Sequence, residues 1–239
     1  MRHVAVALVL ASTATVSAFR VENSSLTPQR GESQSPPRLL HTCLLVDVHD
    51  EGFSATSAAE GVAFDIDGDG VTERVAWPKP GSRLGFLALD VNGNGSIDSG
   101  AELVGSSLRH PSVTRRSSGI SVILLLQGAA YDAAGQIGPS SALGKSPALE
   151  PDDAVFQKLV IWRDSDRNGR STPSELSNLQ ANRILAVSPG ATVVNRQVPG
   201  AMLRFEGAVD TAFAAAADGT GHAGRKMYEV ALDQTPPRR

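Results

Sequence analysis

Cysteine is almost absent from this chain: Cys43 is the only one among 239 residues. That excludes an internal disulfide framework and a cysteine-based zinc cage, and leaves Cys43, within the apolar run Leu44-Leu45-Val46, to be read as a small buried hydrophobe. Aromatic residues make up only 5%, so a core must rest mainly on Val, Leu, Ile and Ala. Basic residues are not in excess, with 22 Lys and Arg against 25 Asp and Glu, a net charge of −3 that argues against a nucleic-acid binder. The N-terminal apolar stretch Val4 to Val16 is too short to span a membrane. The chain also lacks the HExxH, GxSxG, Walker and dinucleotide fingerprints.

What is present begins with a secretory pattern. Arg2 and His3 precede the apolar stretch, and Val16-Ser17-Ala18 supplies small residues for cleavage near Ala18. The expected location is therefore secreted or periplasmic. Residues 19–40 are rich in Ser, Gln and Pro and read as a disordered leader. An ordered domain is expected over 41–234, with a frayed tail at 235–239. The 23 glycines and 14 prolines point to many turns and loops. Val62 to Phe64 and Arg74 to Trp77 flank a Gly/Asp turn and predict a hairpin. Strands are also expected at Val160 to Trp162, Met202 to Val209 and Lys226 to Leu232. Ala101 to Val104 reads as one helical turn and Asp153 to Leu159 as helical, whereas Ile120 to Leu126 fits either strand or buried helix. The fold class expected is α+β and β-rich, with short strands and hairpins and a few short helices around loops.

Three of those loops share the pattern Asp-x-Asp/Asn-x-Asp/Asn-Gly. They begin at Asp65, Asp90 and Asp164. From average residue usage, one such match arises by chance in on the order of a hundred chains of this length. Ca²⁺ needs six to eight oxygen ligands, and positions 1, 3 and 5 of a tight loop aim short carboxylates or amides at one point. The glycine at position 6 allows the sharp turn. Position 7 offers a backbone carbonyl, and positions 9 and 12 complete the sphere.

The Asp164 loop matches that scheme throughout, with Asp164, Asp166, Asn168, the Arg170 carbonyl, Thr172 and Glu175. Glu175 has a second reading beside ligation, since Thr172-Pro173-Ser174-Glu175 also spells a capping box that starts a helix. The Asp90 loop supplies Asp90, Asn92, Asn94, the Ser96 carbonyl and Asp98, with its closing acid displaced by one residue to Glu102. The Asp65 loop supplies Asp65, Asp67, Asp69 and Glu73, but its twelfth residue is Ala76. Each loop alone also reads as a plain hairpin turn. Against that reading stands the crowding of carboxylates in the Asp65 loop, which without a cation would raise their pKa values and destabilise the turn.

Residues 61–105, with GVAFDIDGDGVTERVAW and LGFLALDVNGNGSIDSGAELVG, resemble the calcium-binding module of bacterial secreted and RTX-type exoproteins, whose EF-hand-like loops have the DxDxDG form. In that family the closing acid is displaced by one, as at Glu102. Residues 153–176 are similar to its next block, where a strand ending in Trp leads into another loop. A further family loop has its counterpart ends at Tyr131-Asp132 and Glu150 to Asp153, but the stretch between has lost its Asp/Asn ligands. The resemblance implies Ca²⁺ as the bound ion and nothing catalytic.

The function expected is thus that of a secreted calcium-binding protein. Its ions would stabilise the fold for a surface or extracellular interaction, with a partner the sequence does not name. The alternative is a secreted hydrolase with structural calcium sites. Its one local cluster of acid–base groups is Asp47-Val48-His49-Asp50, and no catalytic residue is assigned.

Overall fold

Several apolar runs in this chain do not alternate, and a strand without alternation must bury both of its faces. The computed structural model bears this out for residues 41–113, 118–127, 129–131, 137–139, 148–211 and 224–235, which are the residues it describes. The expected signal peptide, its cleavage near Ala18, the leader, nearly all of the frayed tail and most of the middle of the lost loop lie outside them.

In chain order the strands are β1 (Thr42–Asp47), β2 (Val62–Phe64), β3 (Glu73–Val75) and β4 (Leu84–Leu89). The helix α1 (Gly119–Gln127) follows, then β5 (Ala129–Tyr131), β6 (Ile137–Pro139), β7 (Leu159–Trp162) and β8 (Leu176–Asn178). The chain closes with β9 (Ile184–Val198), β10 (Ala201–Thr211), β11 (Arg225–Leu232) and β12 (Gln234–Thr235). Seven strands form one antiparallel sheet in the order β8-β7-β4-β1-β11-β10-β9. A second sheet has the order β12-β3-β2, and β5 pairs with β6.

The large sheet carries a core on each face. Leu44 and Val46 of β1, Leu87 and Leu89 of β4 and Ile161 of β7 pack on one side with Val122, Ile123 and Leu126 of α1. Cys43, Leu45, Phe86 and Trp162 point to the other side, toward Val62 and Phe64 of β2 and Val75 of β3. Cys43 is buried among them, and burial, reinforced by Glu229, pushes its thiol well above the usual range, so it is no nucleophile at neutral pH.

The few aromatic residues are concentrated between the two sheets. Trp77 lies 4.6 Å from Phe86 and 5.1 Å from Phe64 between ring centres, and Trp162 lies 5.5 Å from Phe86. All four side chains are fully buried. A second polar group is taken out of water on the opposite face. Glu229 is buried there and accepts the Ile120 N–H at 3.2 Å, placing a carboxylate at the positive end of α1.

The structure is β-rich, as expected, and pairs β2 with β3 in the hairpin expected around the Asp65 loop. Ile120 to Leu126 resolves as helix, and the turn at 101–104 as a short 3-10 turn, Gly100–Glu102. Helix over 153–159 reduces to the 3-10 turn Phe156–Lys158. The Asp164 loop does not enter a true helix either. Pro173–Glu175 makes one 3-10 turn and the chain goes straight into β8, because Leu176 and Ser177 pair with Trp162 and Ile161 of β7.

Two strands are long, which the expectation of short strands missed. β9 runs 15 residues, and the sequence places no element there because Pro189 and Gly190 interrupt it. β9 is the edge of the sheet, where a proline costs no ladder bond on the open side.

Because Trp162 touches three other rings in a dry layer, Trp162→Ala is expected to cost about 3–5 kcal/mol. Urea unfolding of the two proteins measures it. A loss below about 1 kcal/mol would place the dominant core on the helical face instead.

Candidate metal centre

The three aspartate loops leave the ends of strands that already lie close together. The Asp65 loop joins β2 to β3, the Asp90 loop follows β4, and the Asp164 loop joins β7 to β8. In each, the first aspartate grips the loop's own backbone. Asp65 accepts the N–H groups of Asp69 and Gly70 at 3.0 and 2.9 Å. Asp90 accepts those of Asn94 and Gly95 at 3.2 and 2.8 Å, and Asp164 those of Asn168 and Gly169 at 3.1 and 2.9 Å. Position 4 is left-handed in all three, at Gly68, Gly93 and Arg167, and so is the glycine at position 6.

This turn has a fourth copy that the sequence pattern did not reveal. Asp47 accepts the N–H groups of Glu51 and Gly52 at 3.1 and 2.5 Å, and Asp50 and Gly52 are left-handed at the corresponding positions. His49 and Glu51 occupy positions 3 and 5, so an Asp/Asn motif passes over it. The only available signal was Asp at position 1 with Gly at position 6. The Asp47-Val48-His49-Asp50 group is therefore first of all a backbone turn. The copy is also informative about the other three, since it shows that the backbone turn forms without Asp or Asn at positions 3 and 5.

What sets the three loops apart is a buried glutamate that closes each one. Glu73 is 6% exposed, Glu102 1% and Glu175 7%. The first acid after Gly52 is Glu60, which is exposed and accepts the Ser57 N–H and hydroxyl instead. Carboxylate oxygens of Asp65, Asp67 and Glu73 lie within 4.8 Å of one another, and so do those of Asp164, Asp166 and Glu175. Asp69 lies to the side of its group, accepting the Val71 N–H at 2.8 Å.

In the Asp90 loop Glu102 accepts the Asp98 N–H at 3.1 Å through Oε2, the Asn92 N–H also faces the carboxylate, and the buried Oε1 makes no well-aligned hydrogen bond. Asn92 and Asn94 use their side-chain oxygens on the Asn94 and Ser96 N–H groups, and Asn94 also donates to Asp98 Oδ2 at 3.3 Å. In the Asp164 loop Asn168 accepts the Arg170 N–H. The capping-box reading of Glu175 is visible, and the carboxylate also reaches across the loop. Its Oε2 accepts the Thr172 N–H at 3.0 Å, the return arm of a capping box, and its Oε1 accepts the Ser165 N–H at 2.7 Å across the loop. The Thr172 hydroxyl is directed to Glu175 as well, at 3.2 Å.

The loops are joined to one another. Ser171 and Ile97, each the eighth residue of its loop, meet through Ser171 N–H to the Ile97 carbonyl at 3.0 Å and Ile97 N–H to the Ser171 hydroxyl at 2.6 Å. Arg170 pairs with Asp98 at 3.8 Å. Gly100 donates to the Asp65 carbonyl at 2.7 Å, and a Cβ on Gly100 would sit 1.9 Å from the Ile66 carbonyl oxygen. Gly169 also packs closely against β2, where a Cβ would fall 2.6 Å from the Ala63 carbonyl oxygen. Arg109 donates to the Gly68 carbonyl, tying the polar loop after β4 to the same group.

Electrostatics at these loops is unfavourable as they stand. Burial pushes the Glu102 carboxyl up, and the charges of Asp98 and Asp90 push it further. Burial does the same to Glu73, aided by Asp67, Asp69 and Asp65, and to Asp164, aided by Glu175. Glu175 differs, because burial raises it but hydrogen bonds from Thr172 and Ser165 outweigh that and hold it low. A divalent cation bound by oxygen ligands would relieve the first three together.

Comparison with known proteins now bears on this geometry. Residues 44–135 match the SPM domain family. That span is less than half of the chain; it takes in the Asp65 and Asp90 loops and ends before the Asp164 loop. Over 158 residues, 65% of this chain, the sequence is 29% identical to the iron-regulated protein FrpA of Neisseria meningitidis serogroup C. The aligned part is 13% of that protein, so this chain corresponds to a small portion of a much longer relative.

The raised carboxyls give a pH prediction for the chelated protein. An acid whose folded pKa lies above its ordinary value holds its proton more tightly when folded. Its stabilisation is full below the ordinary value, 4.5 for Glu102 and Glu73 and 3.8 for Asp164, and is lost as pH rises through the folded value. Glu175 acts in the opposite direction, and so does His110, whose burial holds its imidazole below the ordinary 6.5 and adds stability as pH rises toward that value, but the three raised acids outnumber them. In EDTA the melting temperature is therefore expected to fall as pH rises from about that range toward neutrality, and Glu102→Gln is expected to flatten the slope. Melting curves across pH read both, and a wild-type slope of the other sign would contradict the account.

Proposed function

We propose that this chain is an exported calcium-binding protein in which Ca²⁺ at the Asp65, Asp90 and Asp164 loops locks the two sheets together. The observation that carries this reading is the Glu102 carboxylate, 1% exposed beside Asp90 and Asp98 with one oxygen that makes no well-aligned hydrogen bond. A buried carboxylate is paired, protonated or bound to a cation, and no basic side chain serves Glu102 among the described residues. Oxygen donors make up the three loops, with His41 Nε2 standing 3.7 Å from Asp67 outside the motif, and a donor set so rich in oxygen favours a hard ion over zinc. The resemblance to the calcium-binding module of bacterial secreted exoproteins supports the same ion.

The ligands proposed are those of the motif: Asp65, Asp67, Asp69 and Glu73; Asp90, Asn92, Asn94, the Ser96 carbonyl, Asp98 and Glu102; and Asp164, Asp166, Asn168, the Arg170 carbonyl, Thr172 and Glu175. The role is structural. Among the described residues α1 is the only α-helix, and it flanks none of the loops, so no helix pair would swing open as in a calcium sensor. No helix among them is long and apolar enough to cross a membrane. Export and a surface or extracellular partner complete the proposal.

Thermal melting in millimolar Ca²⁺ and in EDTA tests it, paired with calorimetric stoichiometry. A site filled at a hundred times its dissociation constant adds about 2.7 kcal/mol, so a clear upward shift is expected. Three ions per chain are expected, with one fewer in Asp164→Asn. An unchanged melting temperature would sink the structural role, and no heat of binding would sink calcium itself.

A further inference from the structure

A cleft of about 370 Å³ opens beside the Asp164 loop, within the range of roughly 300–1,000 Å³ that small-molecule sites occupy. Its walls bring together four cationic side chains: Lys79, Arg83, Arg163 and Arg167. None of the four has a carboxylate within ion-pair distance among the described residues. Arg163 and Arg167 are half-buried, and the Nε of each is buried without an acceptor. Arg167 uses Nη2 on the Glu60 carbonyl at 2.8 Å, a neutral group. A guanidinium drawn partly out of water with no counter-charge is costly, and an anion in the cleft relieves that cost.

The rim is preorganised. Lys79 lies between Pro78 and Pro80, its N–H bonds to the Ser54 carbonyl at 3.2 Å, and its carbonyl accepts the Ser82 N–H at 2.9 Å. Two fixed φ angles and two backbone bonds hold this loop in one shape, which lowers the entropy lost on binding. Ser82, Ser165 and Ser174 add hydroxyls to the wall, and the partly exposed Pro78 and the exposed Pro80 add apolar surface at its rim. Cations, hydroxyls and a small apolar rim together suit one kind of molecule.

We propose that this cleft binds a small hydroxylated anion, a sugar acid or sugar phosphate. Asp164 and Glu175 stand in the same wall and weaken its positive field. Calcium at the Asp164 loop removes that opposition, so the anion binds more tightly in calcium; this dependence, unlike the cleft itself, rests on the calcium reading.

The test is calorimetric titration of the full chain with glucuronate, glucose 6-phosphate and neutral glucose, each in Ca²⁺ and in EDTA. Saturable one-to-one binding of an anionic sugar, with none of glucose, is expected. The two anions distinguish a carboxylate ligand from a phosphate ligand. The double variant Lys79→Gln/Arg83→Gln, both exposed and outside the metal loops, is expected to weaken that binding at least tenfold while calcium stoichiometry and melting temperature stay the same. Arg163→Gln supplies a second loss at a half-buried position. Anion binding equal in Ca²⁺ and EDTA supports the cleft and counts against calcium at the Asp164 loop. No binding of either anion in both media, equal binding of glucose, or a double variant that binds like wild type would overturn the assignment.

Discussion

Carboxylates crowd where the two sheets meet, and burial there works against keeping all of them charged. Glu73, Glu102 and Glu175 each fold back over an aspartate turn and leave water almost completely. Their loops then support one another: Gly100 lies on the Asp65 loop, Ile97 and Ser171 exchange two hydrogen bonds, and Gly169 lies against β2. Ile66 and Ile97 carry this contact into the aromatic layer of Phe64, Trp77, Phe86 and Trp162. Repulsion among the acids therefore acts directly on the packing between the sheets. A cation in each loop, as proposed, would turn that repulsion into a cross-link.

The Asp47 turn separates two effects that an aspartate–glycine motif merges. Its carboxylate binds the N–H groups of Glu51 and Gly52 in the same way as the three loop aspartates bind theirs. Turn formation by Asp is thus a local backbone effect that does not need Asp or Asn at positions 3 and 5. The buried glutamate is the additional feature, and it comes at three different distances along the chain: position 9 for Glu73, 13 for Glu102 and 12 for Glu175. The closing acid is set by where the next strand or 3-10 turn leads, not by counting.

The match to the SPM domain covers two of the three loops, while the bridge from Ile97 to Ser171 binds the third to them. The Asp164 loop accordingly extends the matched region as one physical unit. It also forms a wall of the cationic cleft, whose arginines Arg163 and Arg167 bracket Asp164 in sequence. The negative loop and the positive cleft are adjacent because Arg163, Asp164, Ser165 and Arg167 follow one another in one short segment.

By itself the sequence determined the three turns, since Asp at position 1 and Gly at position 6 act within a few residues. It also determined the hairpin of β2 and β3, the strands over 160–162, 202–209 and 226–232, and the burial of Cys43 among apolar neighbours. Tertiary structure decided the rest. Ile120 to Leu126 became helix because it packs on the large sheet, and residues 176–178 became strand because β7 offered an open edge. β9 took up Pro189 because an edge strand tolerates it. The depth of Glu102, the poorly bonded oxygen it carries and the pairing of Ile97 with Ser171, 74 residues apart, are long-range facts. Local pattern encodes where a turn can form; only packing of distant strands decides which carboxylates are taken from water.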